Sequence, residues 1–378
     1  MTPFRVPSTA PSALLLAGLC VAIYAGGCAS ASDPTERTER VARTTSALGS
    51  DGGESGGPGI DCTPLGDHPV QLGCTGLYSD WTSRTVASDI QPFDPGPGLH
   101  LWADGADKSR WIWLPPGTQI DTSDMDEWVF PVGTRFWKEF RLNGLRVETR
   151  LMIKRADGSW FRTTYAWSQD QATAPELTTG ATNVFGTTYE IPAQDRCRLC
   201  HQGRVDNALG FEVVGLSAAT ATGLTMAALV ANGLVTLAPQ TPVVIPGDPT
   251  EAAALGWLHA NCGTACHNGS PGALAGFTGL QMRLNVAQLG SVQATDTFTT
   301  AYNVPSGFQP FDGAAFLRIT PGSSATSSIP YRDGTRDATD DLRVQMPPFE
   351  THIVDATGVA LVRAWIDAMP PAPLLTPN

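Results

Sequence analysis

Two short runs of the chain combine cysteine and histidine at close spacing. Residues 197–201 read C-R-L-C-H, and residues 262–267 read C-G-T-A-C-H. Two thiols one turn apart can add to the two vinyl groups of a haem, and the histidine that follows then lies beneath the iron as a ligand. The sequence therefore predicts haem c at both runs. The residues concerned are Cys197, Cys200 and His201 in the first run, and Cys262, Cys266 and His267 in the second.

The second run holds one more residue between its cysteines than the first. Because the vinyl positions of a haem are fixed, this residue has to be taken up by a bulge ahead of the histidine. A single thioether bond, or a disulfide without haem, is the alternative at this run. At the first run the alternatives are a small disulfide and a pair of zinc ligands, which would be favoured in a cytosolic protein.

A methionine near the C-terminus lies in a segment that suits a ligand on the other face of the second haem. Met346 precedes Pro347 and Pro348, which disfavour helix and lack a backbone donor. An extended loop of this kind can present the Met346 thioether to the iron opposite His267. Ligation by methionine and histidine raises the reduction potential and suits electron transfer. The alternative is an ordinary core methionine.

The ligand opposite His201 is less well defined. Few residues separate the first run from the Pro-rich segment 239–249, so a helix predicted over 217–232 or a neighbouring domain has to cover this iron. Met226 lies on the predicted helix and could bind the iron, as could Met282 or a histidine from elsewhere. Packing of Met226 within the helix is the alternative.

The composition excludes some classes of protein. The chain has 378 residues, of which 42% are hydrophobic, so it can form two or three globular domains. Its 24 lysines and arginines are outnumbered by 36 aspartates and glutamates, which gives a formal net charge of −12. No basic stripe interrupts this acidic balance, so nucleic acid is not expected as a partner.

The N-terminal residues have the character of an export signal. An apolar run from Ala13 to Ala25 is too short to span a bilayer and leads through small residues to Cys28. This arrangement resembles the lipobox of bacterial lipoproteins. The resemblance implies a signal peptide over 1–27, lipidation of Cys28 as the only membrane contact, and a place on the periplasmic or cell-surface side of the outer membrane. Plain signal cleavage nearby is the alternative.

The next residues and the remaining cysteines fit an exported protein. Residues 28–61 are charged and then glycine-rich, with almost no apolar residue, and are predicted to be a flexible tether. Once Cys20 leaves with the signal peptide, Cys62 and Cys74 are the pair that neither the two runs nor the lipid site uses. An oxidising compartment favours a Cys62–Cys74 disulfide, although the sequence alone does not place them within bonding distance.

The first part of the folded region is predicted to be rich in strands. Residues 62–191 contain alternating strand-like runs, and the Asn143-Gly144 and Asp157-Gly158 pairs between them are strong hairpin signals. An antiparallel β-sandwich-like domain is predicted, with its many tryptophans in the core. A sugar-binding face built from these tryptophans is the alternative.

The rest of the chain is predicted to be mainly helical. Residues 192–245 form a segment around the first haem, and residues 246–378 form the region with the second haem. Asp355 is expected to cap a helix whose apolar residues recur every three or four positions, and Pro370 stops this helix. The predicted fold class is α+β, with a β-sandwich-like domain followed by the helical region.

The order of these features resembles class I cytochrome c domains, in which C-x-x-C-H, a late Met-Pro-Pro and a closing helix follow one another. Four further runs, at 101–108, 114–117, 130–134 and 259–262, are similar to runs in proteobacterial dihaem c-type cytochromes that carry an N-terminal β domain. The resemblance extends from Leu99 to Met369. It implies haem binding, electron transfer and a cytochrome c-like helical region, but no substrate. The wider spacing of the second run departs from the usual pattern.

The leading hypothesis is an exported dihaem c-type cytochrome lipoprotein that exchanges electrons with a redox partner protein. Outer-sphere transfer needs buried haems, tuned potentials and an exposed haem edge. The first alternative is a haem enzyme of the dihaem peroxidase type, for which the six histidines of the chain leave few acid–base residues. The second is a binding lipoprotein without haem, whose cysteines form disulfides. The sequence identifies neither the redox partner nor a ligand of the β domain.

Overall fold

The computed structural model describes residues 61–63, 68–308, 316–336 and 344–371. The predicted signal peptide, the lipid site Cys28 and nearly all of the tether lie outside these ranges. The described residues belong to one compact unit, which contains both helices and an antiparallel sheet. The α+β class predicted from the sequence is therefore confirmed.

The strands of the described ranges form a main sheet and a small ribbon. They are β1 (Tyr78–Asp80), β2 (Thr85–Val86), β3 (Gln91–Asp94), β4 (Asp107–Trp113), β5 (Arg135–Leu142), β6 (Leu145–Lys154), β7 (Trp160–Ala166) and β8 (Thr222–Gly223). The main sheet has six strands in the order β7-β6-β5-β4-β3-β8, and all neighbours run antiparallel. The ribbon consists of β1 and β2.

Two tight turns set the register at the centre of the main sheet. Asn143 and Gly144 have φ values of 51° and 80° and join β5 to β6, with Leu142 opposite Leu145. An Asn-Gly turn between antiparallel strands requires positive φ at both positions. Gly158, with a φ of 84°, lies in the turn that joins β6 to β7. Both predicted hairpins are confirmed.

The two faces of the main sheet have different coverings. On one face Trp137, Leu151 and Tyr165 pack against the 3-10 turn Leu72–Cys74 and the β1–β2 ribbon. On the other face Phe136 belongs to a larger core that is shared with the helical segments. The main sheet is therefore covered by the short ribbon on one face and by helices on the other.

The helices surround this second face. The α-helices are α1 (Cys197–His201), α2 (Val213–Ser217), α3 (Met226–Ala231), α4 (Pro249–Leu258), α5 (Asp296–Ala301), α6 (Ser328–Asp333) and α7 (Ala356–Ala368), and a π-helical turn covers His259–Gly263. Further 3-10 turns are Val184–Gly186, Gln194–Arg196, Gly276–Thr278, Val286–Gln288, Val292–Ala294 and Ser324–Thr326. Across the described ranges, no helix has the length and apolar character of a membrane span.

The last helix packs on α4 and is capped as predicted. The Asp355 carboxylate accepts the Gly358 N–H at 3.0 Å. Its other oxygen accepts the Trp257 indole N–H at 2.7 Å, which ties the start of α7 to α4. A Cβ on Gly358 would lie 1.9 Å from the Trp257 indole nitrogen, so only glycine permits this approach.

The helix predicted over 217–232 is shorter in the structure. Thr222 and Gly223 pair with β3 as strand β8, which delays the start of α3 to Met226. A Cβ on Gly223 would lie 2.2 Å from the carbonyl oxygen of Pro92. The prediction was wrong over its first half because the apolar periodicity carries no information on this strand pairing.

Candidate functional site

A cavity lies where the main sheet meets the two cysteine–histidine runs. Its empty volume is about 2000 Å³, counting the space at its open mouth. The first run contributes Cys197, Cys200 and His201 to the wall, and the second run contributes Cys266. The cavity is therefore shared by the main sheet and both runs.

His201 is oriented by a hydrogen bond to the backbone. Its Nδ1 lies 2.7 Å from the carbonyl oxygen of Asn207, and because a carbonyl only accepts, Nδ1 carries the proton. The lone pair is then on Nε2, to which no group in the described ranges donates a hydrogen bond. Burial, followed by the charge of Arg162, lowers the pKa of His201 to about 3. A neutral imidazole held in this way is typical of a metal ligand.

His267 has the same arrangement. Its Nδ1 donates to the carbonyl oxygen of Leu280 at 3.3 Å, which leaves the lone pair on Nε2. Burial lowers the pKa of His267 to about 4, so this ring is also neutral at physiological pH. The histidines of the two runs therefore share one tautomer and one kind of backbone support.

The four other histidines differ from His201 and His267, because Nε2 of each one faces a carboxylate. The pairs are His68–Glu176 (3.0 Å), His100–Asp94 (2.7 Å), His259–Glu212 (3.5 Å) and His352–Glu190 (2.9 Å). His259 also lines the cavity, but its Nδ1 accepts the N–H of Leu284 at 2.9 Å, so its proton is on Nε2. Ligation through Nε2 would require this proton to move to Nδ1, with loss of the bond from Leu284. The ligand arrangement is thus specific to the histidines of the two runs.

The extra residue of the second run is taken up by π-type backbone geometry. The π-helical turn His259–Gly263 follows α4 directly. The N–H of His267 then donates to the carbonyl oxygen of Cys262 at 2.8 Å, and the N–H of Cys266 donates to the same oxygen at 3.3 Å. A bond from a residue to the fifth one before it spans one residue more than an α-helical bond. The longer spacing is therefore closed within a single turn.

The two runs pack directly against each other. A Cβ on Gly203, just after the first run, would lie 1.7 Å from the carbonyl oxygen of Ala265 in the second. A Cβ on Gly272 would lie 2.0 Å from the carbonyl oxygen of Gln202. Both positions need glycine because backbone atoms occupy the space of a side chain. Groups attached to the two runs would therefore be close neighbours.

The cysteines of the two runs are unpaired thiols. Burial is the main cause that raises the pKa of Cys197, Cys200, Cys262 and Cys266. For Cys266 the neighbouring Cys200 adds to this effect, and the pKa rises to about 12. Within the part of the chain that the structure describes, no three His, Cys, Asp or Glu side chains are grouped to hold a metal ion. Cys200 and Cys266 are therefore neighbours across the two runs.

Met346 lies in a segment that reaches the cavity and is bonded to Arg332. Pro347 and Pro348, which follow it, line the cavity. The N–H of Met346 donates to the carbonyl oxygen of Arg332 at 3.0 Å. The low pKa of His267 is due mainly to burial, but the charge of Arg332 contributes to it. Met346 and His267 therefore have Arg332 as a common neighbour.

The methionines considered for the first run are located elsewhere. Met226 and Met282 are 5% and 3% exposed, belong to the hydrophobic core and do not line the cavity. Met152, which the spacing of the two runs does not indicate, does line it. Met152 lies on β6 opposite Phe136 of β5, so the alternation of side chains along these strands was the signal that could have found it.

Cys62 and Cys74 are joined by a disulfide, with their Cα atoms 5.4 Å apart. The N–H of Leu72, two residues before Cys74, donates to the carbonyl oxygen of Ala174 at 3.0 Å. The disulfide therefore attaches the start of the described chain to the sheet domain, at a distance from the cysteine–histidine runs in sequence.

Comparison of the chain with protein-family models, curated proteins and solved structures found no match. Function therefore has to be inferred from the site. The residues present fit a c-type haem in three respects. Each run offers a neutral histidine with Nε2 available, each offers two unpaired thiols, and the thiols and histidine of the first run line a cavity.

Proposed function

We propose that the chain is an exported dihaem c-type cytochrome that transfers electrons to or from a redox partner protein. The observation that carries this proposal is the shared geometry of His201 and His267, which donate from Nδ1 to a carbonyl and keep Nε2 free. The other histidines lack this geometry. The resemblance of the sequence to dihaem c-type cytochromes with a cytochrome c-like helical region points the same way.

Each residue of the site has a role in this proposal. Cys197 and Cys200 attach the first haem, and the wider second run attaches the other. A bound c-type haem supplies a one-electron carrier. The backbone bonds at Nδ1 fix the ring orientation of both histidines, and burial keeps the rings unprotonated so that Nε2 is available. Met346 is assigned to the iron of His267, whereas Met226 is assigned to core packing.

The contact between the two runs brings together the segments that would hold the two haems. Gly203 and Ala265 approach closely through backbone atoms. Each bound haem would supply a one-electron carrier, held by the cysteines and the histidine of its own run.

A haem enzyme is the second candidate. The observation in its favour is that the cavity at His201 has an open mouth, while Met226 and Met282 do not reach it. Carbon monoxide added to the reduced protein separates the two functions. If the first haem binds carbon monoxide readily, its sixth position is open and the enzyme is favoured. If it does not, the electron carrier is favoured.

Reversible reduction of the purified holoprotein tests the proposed function. We expect two one-electron components with the absorption bands of c-type haem, because each run carries one haem. In Met346→Ala one component should shift to a lower potential, since a thioether ligand raises the potential. Met226→Ala is the matched control and should leave both potentials unchanged. A colourless protein would contradict the proposal and favour the binding lipoprotein without haem.

The proposal includes a lipid anchor at Cys28, on the outer-membrane side facing the periplasm or the cell surface. We expect Cys28→Ser to move the protein from the membrane fraction to the soluble fraction, because a lipid on this residue is the anchor. Cys20→Ala, within the predicted signal peptide, is the control and should remain in the membrane fraction. Retention of Cys28→Ser in the membrane would show that the anchor lies elsewhere.

A further inference from the structure

The carbonyl group that orients His201 belongs to a residue with uncommon backbone geometry. Asn207, whose carbonyl oxygen accepts from Nδ1 of His201, has a φ of 61°. Residues other than glycine seldom adopt this left-handed conformation, and asparagine is one of the few that tolerate it. The direction of a carbonyl group follows from the dihedral angles of its own residue. The hydrogen bond at His201 therefore depends on the contacts that keep Asn207 in this conformation.

The chain just ahead of this carbonyl group is anchored to the main sheet at Asp206. The Asp206 carboxylate forms an ion pair with Lys154 of β6, and it accepts the indole N–H of Trp160 at 3.0 Å and the backbone N–H of Phe130 at 2.6 Å. These contacts fix the position of Asp206. They do not fix the carbonyl group of Asn207, because the two backbone dihedrals of Asn207 lie between this group and Asp206.

Arg162 of β7 holds the side chain of Asn207 from the sheet. Its guanidinium donates to Oδ1 of Asn207 at 2.8 Å, whereas Nδ2 of Asn207 makes a longer bond, of 3.4 Å, to the carbonyl oxygen of Val205 in its own turn. The guanidinium also donates to the carbonyl oxygen of Trp160 at 3.4 Å. Because hydrogen bonds from a charged donor are stronger than those between neutral groups, the bond from Arg162 can set the position of the Asn207 side chain.

These contacts form a continuous chain from the sheet to His201. The chain runs from the Arg162 guanidinium to Oδ1 of Asn207, and from the carbonyl oxygen of Asn207 to Nδ1 of His201, with bonds of 2.8 and 2.7 Å. At His267 the carbonyl oxygen belongs to Leu280, whose apolar side chain accepts no hydrogen bond from a cation. The two histidines therefore differ in how their carbonyl partner is held.

We propose that Arg162 is a positioning residue for His201, which acts through Asn207 and does not itself ligate the iron. This inference rests on the proposed function, in which His201 is an iron ligand. By holding the carbonyl oxygen of Asn207 at Nδ1, Arg162 keeps the ring in one orientation. The bond at Nδ1 also raises the basicity of a ligating histidine. A more basic ligand stabilises the oxidised iron, so the chain of bonds lowers the reduction potential of the first haem.

Hydrogen exchange of the His201 Nδ1–H in the full-length holoprotein tests this inference. Nuclear magnetic resonance can follow this proton in the reduced protein under carbon monoxide, where the first iron is diamagnetic whether or not its sixth position was open. We expect exchange to be about tenfold faster in Arg162→Gln and in Asn207→Gly, because the carbonyl group is no longer held. The double variant should exchange no faster than the single variants, since both changes break the same chain of bonds.

Two controls accompany these variants. The Nδ1–H of His267 in the same molecule should exchange at the wild-type rate throughout, because its partner is the carbonyl oxygen of Leu280. Asn207→Asp keeps an oxygen for Arg162 and tolerates the left-handed conformation, so it should exchange as the wild type does. Glycine adopts this conformation without strain, so Asn207→Gly is expected to fold and tests the inference by itself.

The reduction potential of the first haem gives a second readout. The component of this haem is the one that Cys197→Ser/Cys200→Ser removes. Asn207→Gly changes no charge, so the potential should rise as the imidazole of His201 becomes a weaker donor. A loss of packing alone would not predict this direction.

A potential that does not rise, or an unchanged exchange rate, in Asn207→Gly with haem attached would overturn the inference and leave the proposed function intact. Exchange in the double variant that multiplies the two single effects would also overturn it, because Arg162 would then act independently of Asn207. Absence of haem from the wild type would contradict the proposed function itself.

Discussion

The variant Cys197→Ser/Cys200→Ser is expected to mature with one haem instead of two. Both thiols of the first run line the cavity, and without them no thioether bonds can form there. The variant Cys262→Ser/Cys266→Ser should likewise carry one haem, because the π-type turn closes the wider run into a single turn. The measurement is haem per chain, from the absorbance of the alkaline pyridine complex of the denatured protein.

Cys62→Ser/Cys74→Ser is the control for these variants. It removes the same number of thiols but touches neither run, so both haems should remain. Loss of the disulfide, whose cysteines are 12 residues apart, should lower the free energy of unfolding by about 3 kcal/mol. If the variant of the second run carries as many haems as the wild type, that run attaches none and its assignment as a haem site is wrong.

Gly203→Ala is expected to lower the free energy of unfolding by about 3 kcal/mol. A Cβ at this position would lie 1.7 Å from the Ala265 carbonyl oxygen, and backbone cannot move aside as a flexible side chain can. The two runs would have to separate, so electron exchange between the haems should also become slower. Urea denaturation of the holoprotein measures the first effect, and flash photoreduction followed in time measures the second.

Gly290→Ala is the matched control for Gly203→Ala. No atom lies within 4 Å of a Cβ at Gly290, so an added methyl group meets open space. Alanine restricts the unfolded chain more than glycine does, so this variant should be neutral or slightly more stable than the wild type. Equal stability of Gly203→Ala and Gly290→Ala would show that the runs do not pack as the structure places them.

Features that depend on neighbours in the chain could be predicted from the sequence. The Asn143-Gly144 turn requires positive φ at both residues, and few other pairs meet this need, so the hairpin was predictable. The cap by Asp355 was predictable for a similar reason, since its carboxylate bonds a backbone N–H three residues later. The cysteine–histidine runs were also visible, because their chemistry depends on local spacing.

Features that depend on strand register and on distant contacts could not be predicted. The position of Lys138 between two arginines follows only from the register of β4, β5 and β6, which places Arg110 and Arg150 on either side of it. The contact of Gly203 with Ala265 joins residues that nothing in the sequence pairs. Thr222 continues an apolar helical pattern but pairs with β3 instead, because tertiary pairing overrides local propensity.

The intact mass of the mature wild-type protein, produced with a cytochrome c maturation system and measured under denaturing conditions, tests the central claim most directly. Only covalently attached groups remain on the chain in such a measurement. Thioether bonds at both runs predict the polypeptide mass plus two haems. A mass equal to that of the polypeptide, with or without its lipid, would contradict the account.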